Sequence, residues 1–265
     1  MNRGDSCADG DSPDEKRKSE IPISVWGFFS FGKKGDPMKK QNLRKYLALA
    51  MFTAIAYISL LFMKIGGVGG FLTFDIKDAV LTIAAMQFGP LSGILVSLLV
   101  SFIEMFTMSE TGFWGFLMNF IGSAAFSAIA AAIYLYMPRL KKTLAGAVLG
   151  LAVAVFSMTV LMLVMNIFIT PIYTGAPLSA IYEMMLPLLL PFNFIKALAN
   201  AAIAFVLYKP ICTALRRIRI MEIGATEYRA SAKTVLFLLA GIAVLVACVL
   251  FLVLGLGGHF EWFQA

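Results

Sequence analysis

The sequence has 265 residues, of which one is histidine and three are cysteine, and only 14% are charged. Soluble domains average about 25% charged residues and roughly 45–50% apolar ones, whereas 60% of this chain is hydrophobic. Each scarcity removes a class of function. The cysteines, Cys7, Cys212 and Cys248, lie far apart in no metal-ligand or disulfide spacing, so a disulfide scaffold and a zinc module are excluded. The lone His259 lies near the C-terminus, which excludes a histidine-based catalytic constellation in the core. No G-x-x-x-x-G-K-[ST] phosphate loop is present, since Gly32-Lys33-Lys34-Gly35 has the wrong order, and there is no H-E-x-x-H and no nucleophile elbow.

What is present is long uncharged runs. Residues 1–45 carry 17 of the 37 charged residues, and residues 46–208 carry 11. No charge occurs from Ala79 to Ile103, Thr111 to Pro138, Thr143 to Tyr182 or Thr234 to Phe260. A bilayer core of ~30 Å needs about 20 mostly apolar helical residues. The runs lack the period-two alternation of a membrane barrel, so they are read as helices. The expected fold class is an all-α integral membrane protein, with six helices forming a core and a seventh at the C-terminus. Spans are placed at about 46–65, 77–89, 90–108, 112–136, 144–168, 186–208 and 234–256, with Gly89-Pro90 breaking the second from the third. The second is short and is expected to be tilted or partly buried in protein.

Three segments follow. Residues 1–40 are polar and read as a disordered cytoplasmic extension, in which Ile21–Phe31 is apolar and too short to span, suited to the membrane surface or to an unstructured tail. Residues 41–215 form the six-span membrane domain. Residues 216–265 hold a basic segment and the extra span. Ten basic residues precede the first span, and Arg139, Lys141, Lys142 and the Lys209–Lys233 region fall on the same side. By the positive-inside rule the N-terminus is cytoplasmic in a cell membrane. The net charge of +7 is thereby assigned to membrane orientation, and no nucleic-acid partner is expected.

Polar groups inside apolar spans mark candidate chemistry. Lys196 stands in LLLPFNFIKALANAAIAF with no other charge from Met184 to Tyr208. A lysine at that depth costs roughly 2.5–3.5 kcal/mol on insertion scales and should face a polar cavity or a ligand, or else snorkel or pair with a carboxylate. Asn193 is on the same helix face, with Pro187 and Pro191 just before. Asn166 closes the fifth span, Asn119 sits near the start of the fourth, and the loop after the first span reads GGVGGFLTFDIKDA, bearing Phe74 and Asp75. An isolated span asparagine is more often helix-packing glue. Amides, one ammonium and aromatics converging on the outer side suit a flat neutral heterocycle with carbonyls and N–H groups, not a metal or a covalent mechanism. Few charges are seen that could relay ions. Ala50 and Ala54, and Gly146 and Gly150, are small-residue pairs allowing close helix approach.

The succession FDIKDAVLTIAAMQFGPLSG, NFIGS, NIFITPIY, and PFNFIK followed by LYKP resembles the riboflavin-binding S components of energy-coupling factor (ECF) transporters over residues 45–213. The resemblance implies a vitamin-capturing subunit, not an enzyme, that binds riboflavin as transported substrate and needs no cofactor. Its implied partners are a transmembrane coupling subunit and two ATPase subunits. By the same resemblance Asn166, Asn193 and Lys196 would hydrogen-bond the vitamin, Thr73, Phe74 and Asp75 would close the mouth, and Ala50 and Ala54 would meet the coupling subunit. Glu104, in SFIEMF, departs from the family pattern, as do Ile76-Lys77, the N-terminal extension and the seventh span. The rival readings are the same architecture with another vitamin or precursor (pantothenate, a pterin), a solitary carrier, and a membrane-embedded enzyme or scaffold.

Overall fold

A computed structural model of the chain describes residues 37–68, 72–108, 111–217, 232–256 and 259–260. Residues Leu43–Ala265 form one compact unit, distinct from Met1–Asn42. The disordered reading of residues 1–36, the surface reading of Ile21–Phe31, and the basic residues Arg219 and Arg229 lie outside the described residues. Helix α1 (Pro37–Phe62) begins nine residues before the expected span, so residues 37–40 are helical rather than disordered. The short antiparallel strands β1 (Ile65–Val68) and β2 (Leu72–Phe74) follow, where only a glycine-rich loop was expected. Then come α2 (Lys77–Phe88), α3 (Pro90–Thr107), α4 (Gly112–Tyr136), α5 (Leu144–Thr174), the short α6 (Leu178–Met184), a π turn (Met185–Leu189) and α7 (Leu190–Arg217). The described chain ends with α8 (Ala232–Leu250), a second π turn (Phe251–Gly255) and β3 (His259–Phe260), which pairs with β1 to give the sheet order β2-β1-β3.

Local chemistry sets these boundaries. Gly89 takes φ +102° between α2 and α3, a conformation other residues rarely adopt, and Pro90 then occupies the first helical position, where its missing N–H costs nothing. Thr143 caps α5 by accepting the Gly146 amide at 3.1 Å. That helix runs six residues past its expected end. Pro171 lies within its last turn and removes one backbone hydrogen bond there, and Gly175 at φ +68° closes the helix as a left-handed cap. Pro187, which cannot donate a backbone hydrogen bond, lies in the first π turn, just before Asn193 and Lys196.

Among the described residues, five helical stretches are long and apolar enough to cross a bilayer: residues 43–62, 90–107, 112–136, 144–174 and 178–208. Helix α2 has only 12 residues, and Lys77–Met86 are all buried, so it traverses protein rather than lipid. Large apolar side chains such as Phe106, Phe156, Phe168 and Leu186 are exposed, as lipid-facing positions require.

Inside, the packing relies on small residues. Ala84, Ala85, Ala130, Ala131, Ala154, Ala197 and Ala204 are fully or almost fully buried in the main core, which joins α1–α5 and α7. A Cβ at Gly150 would stand 2.7 Å from the Ala130 carbonyl oxygen, so that glycine permits the contact of α5 with α4. Gly146 differs from its expected role: a Cβ there would meet the Leu140 carbonyl in the preceding turn at 2.1 Å, not another helix. A second cluster unites Ile65, Leu72 and Phe74 of the hairpin with Ile181, Leu189 and Phe192, and with Cys248 and Leu252 from the C-terminal helix.

Candidate substrate chamber

One cavity lies among the ends of β2, α2, α4, α5 and α7. Thr73, Asn119, Asn166, Asn193 and Lys196 all line it, together with Asp78, Ser123, Tyr173, Phe192 and the thioethers of Met118, Met158 and Met162. Its volume is about 90 Å³, several times the ~10–15 Å³ that one water occupies by the same measure. Gly122 keeps it open, because a Cβ there would stand 2.9 Å from the Met162 sulfur. The wall combines soft apolar side chains with a few polar groups, the usual composition of a small-molecule site.

Phe74 and Asp75, expected in the binding set, do not line the cavity. Phe74 is buried in the second hydrophobic cluster. Asp75 is 1% exposed, and its carboxylate faces the protein: Lys196 Nζ donates to Oδ2 at 2.8 Å, and the Lys77 backbone amide donates to Oδ1 at 3.3 Å. Lys196 also donates to the Thr73 carbonyl oxygen at 3.1 Å. An ammonium has three donors, so two hold the hairpin end and the third is left for the chamber. The two readings of Lys196, cavity-facing and carboxylate-paired, therefore hold together. Asp75 precedes α2, outside the spanning helices. Burial would raise its affinity for a proton, but the neighbouring ammonium groups of Lys196 and Lys77 outweigh that and hold the carboxyl below its ordinary range.

The asparagines are oriented by protein contacts. Asn193 Nδ2 donates to the Leu189 carbonyl at 2.7 Å. Asn166 Nδ2 donates to the Met162 carbonyl at 2.7 Å, and the Thr170 hydroxyl donates to Asn166 Oδ1 at 2.7 Å. Asn119 Nδ2 donates to Glu104 Oε1 at 3.0 Å. In each case one amide N–H is engaged by protein, which fixes the side chain's orientation and leaves its carbonyl oxygen with a lone pair to spare.

Several residues of this region are absent from the sequence-derived set. Asn200 bridges three backbone groups: its Oδ1 accepts the Ala79 amide at 2.9 Å, and its Nδ2 donates to the carbonyls of Asp75 at 2.8 Å and Lys196 at 3.0 Å. Its position four residues after Lys196 was a legible helical-face signal. Asp78 lines the cavity and accepts the Ser123 hydroxyl. Lys77 donates to Glu104, and its Nζ lies 3.9 Å from Asp75 Oδ2. Asp75, Lys77, Asp78, Glu104 and Lys196 thus form a buried charged network. Lys77 and Glu104 are 27 residues apart, with no local signal of the pairing. Ala50 and Ala54 are exposed on α1, four residues apart on one face.

Residues 44–211 match the family described as ECF transporter, substrate-specific component. "Riboflavin transporter RibU" of Staphylococcus aureus (strain TCH60) is 27% identical over 190 residues, covering 68% of this chain and 97% of that protein. A solved S component of a bacterial ECF transporter superposes with a TM-score of 0.56 at 26% identity, over 66% of this chain and 99% of the other.

Proposed function

Because the chain belongs to the substrate-specific components of ECF transporters, we propose that it is the riboflavin-binding subunit of such an importer. The observation that carries this reading is the chamber itself. Asn166 at the end of α5 and Asn193 with Lys196 at the start of α7 line one cavity, in a chain that is 27% identical to a riboflavin transporter. Oxidised riboflavin offers ring carbonyls for an ammonium donor, and an imide N–H and ribityl hydroxyls for amide oxygens. The thioethers of Met118, Met158 and Met162 supply a polarizable wall for its flat ring.

Direction follows from charge. The chamber is lined by Thr111 and Gly115 at the start of α4 and by Tyr173 at the end of α5. Those ends lie opposite the α4–α5 turn, which holds Arg139, Lys141 and Lys142. A cytoplasmic basic turn directs the chamber to the outside and places the N-terminus in the cytoplasm of a cell-membrane protein. The subunit captures the vitamin there and releases it inward when docked, through the Ala50–Ala54 face, on a transmembrane coupling subunit driven by two ATPases.

Titration of the purified full chain with riboflavin, followed by quenching of flavin fluorescence, tests the proposal. Saturation at one equivalent, undisturbed by excess pantothenate or pterin, is expected. Absence of quenching, or displacement by either competitor, overturns it.

A further inference from the structure

Glu104 sits near the end of α3 and is 7% exposed, an uncommon depth for a carboxylate. It does not line the chamber, yet both of its oxygens are used. Lys77 Nζ donates to Oε2, and Asn119 Nδ2 donates to Oε1 at 3.0 Å. Asn119 does line the chamber. A side-chain amide can ordinarily turn over to offer a ligand either its N–H or its oxygen. A carboxylate is an acceptor only, so Asn119 must direct Nδ2 at Glu104. Its Oδ1 accepts no hydrogen bond among the described residues. The Lys77 ammonium, 1% exposed, lies against the other carboxylate oxygen and balances the buried charge.

We propose that Glu104 is a specificity-determining positioning residue: it locks the Asn119 amide so that the chamber presents a fixed hydrogen-bond acceptor, selecting ligands that bring an N–H or O–H donor to that point. The inference rests on the riboflavin reading and adds to it a rule of discrimination. A ligand with a donor there is bound, whereas one with an alkyl group or carbonyl leaves the oxygen desolvated and unpaired, at a loss of roughly ten- to hundredfold in affinity. For riboflavin the donor is the ring imide N–H or a ribityl hydroxyl.

The experiment compares riboflavin, N3-methylriboflavin (no imide N–H) and lumiflavin (no ribityl hydroxyls) on the full chain and two variants. Glu104→Gln puts a group at 104 that both donates and accepts, so Asn119 is free to turn over. Glu104→Gln with Asn119→Asp reverses the hydrogen bond, with the new amide donating to the new carboxylate, whose second oxygen restores an acceptor in the chamber. In the unaltered chain at least one analogue should bind about tenfold or more weaker than riboflavin. That discrimination should fall severalfold in Glu104→Gln and return in the double variant. A merely structural role would weaken all three ligands by one common factor, and that result, or unchanged discrimination in Glu104→Gln, overturns the inference. Failure of the unaltered chain to bind riboflavin would instead overturn the functional reading beneath it.

Discussion

Replacing Lys196 by methionine keeps most of the side chain's volume and removes its charge. Asp75 then loses its 2.8 Å partner, and the Thr73 carbonyl loses its donor. Removing one member of a buried ion pair costs about 3–5 kcal/mol. Asp75 retains the Lys77 amide at 3.3 Å and the Lys77 ammonium at 3.9 Å, so the lower end applies. A loss of about 3 kcal/mol corresponds to a fall of roughly 6–12 °C in Tm for a domain of this size. Riboflavin should also lose a charged hydrogen bond, roughly ten- to hundredfold in affinity. Both are read on detergent-purified protein, by thermal unfolding and by flavin fluorescence titration. Lys196→Met combined with Asp75→Asn separates the two roles. With no carboxylate stranded, most of the lost Tm should return while flavin binding stays weak. If Lys196→Met leaves both Tm and affinity within error of the unaltered chain, neither the hairpin anchor nor the ligand contact has been assigned correctly.

Asn200→Leu removes three buried hydrogen bonds, two at the start of α2 and one to the Lys196 carbonyl of α7. It should destabilise the fold by at least about 2 kcal/mol, visible as a lower Tm. Gly122→Val should narrow the chamber by displacing the flexible Met162 side chain, reducing riboflavin affinity in titration more than it lowers Tm. Gly150→Ala drives a Cβ to 2.7 Å from the Ala130 carbonyl oxygen; separating α4 from α5 should cost about 1–3 kcal/mol in thermal unfolding. Ala50→Trp with Ala54→Trp alters only exposed positions of α1. Flavin binding should be unchanged, while co-purification with the coupling subunit and ATPases should be lost.

The helical layout was legible where the chemistry is local. Gly89-Pro90 marks the α2–α3 break, and the Arg139–Lys142 turn separates α4 from α5. The limits of α5 were less legible, because a proline in the last turn of a helix looks in sequence like a terminator. The strands at 65–68 and 72–74 were hidden by their shortness and glycines, and β1 gains its second partner from residues 259–260, almost two hundred positions away. Asn166, Asn193 and Lys196 stood out because each interrupts an apolar run. Lys77, Asp78 and Glu104 did not, because charges at the ends of spans look like ordinary loop residues until the fold buries them together. Asn200 was visible as the next member of the Asn193–Lys196 face, but an asparagine bonded to three backbone groups looks the same in sequence as one bonded to a ligand.

The most direct test of the central claim is chemical identification of what the chamber holds. The full chain is loaded with an equimolar mixture of riboflavin, pantothenate and a pterin, washed, and denatured, and the released molecule is identified by mass spectrometry. The account predicts riboflavin alone, near one equivalent, and much less of it from Lys196→Met. Release of another vitamin, or of no flavin at all, would contradict it.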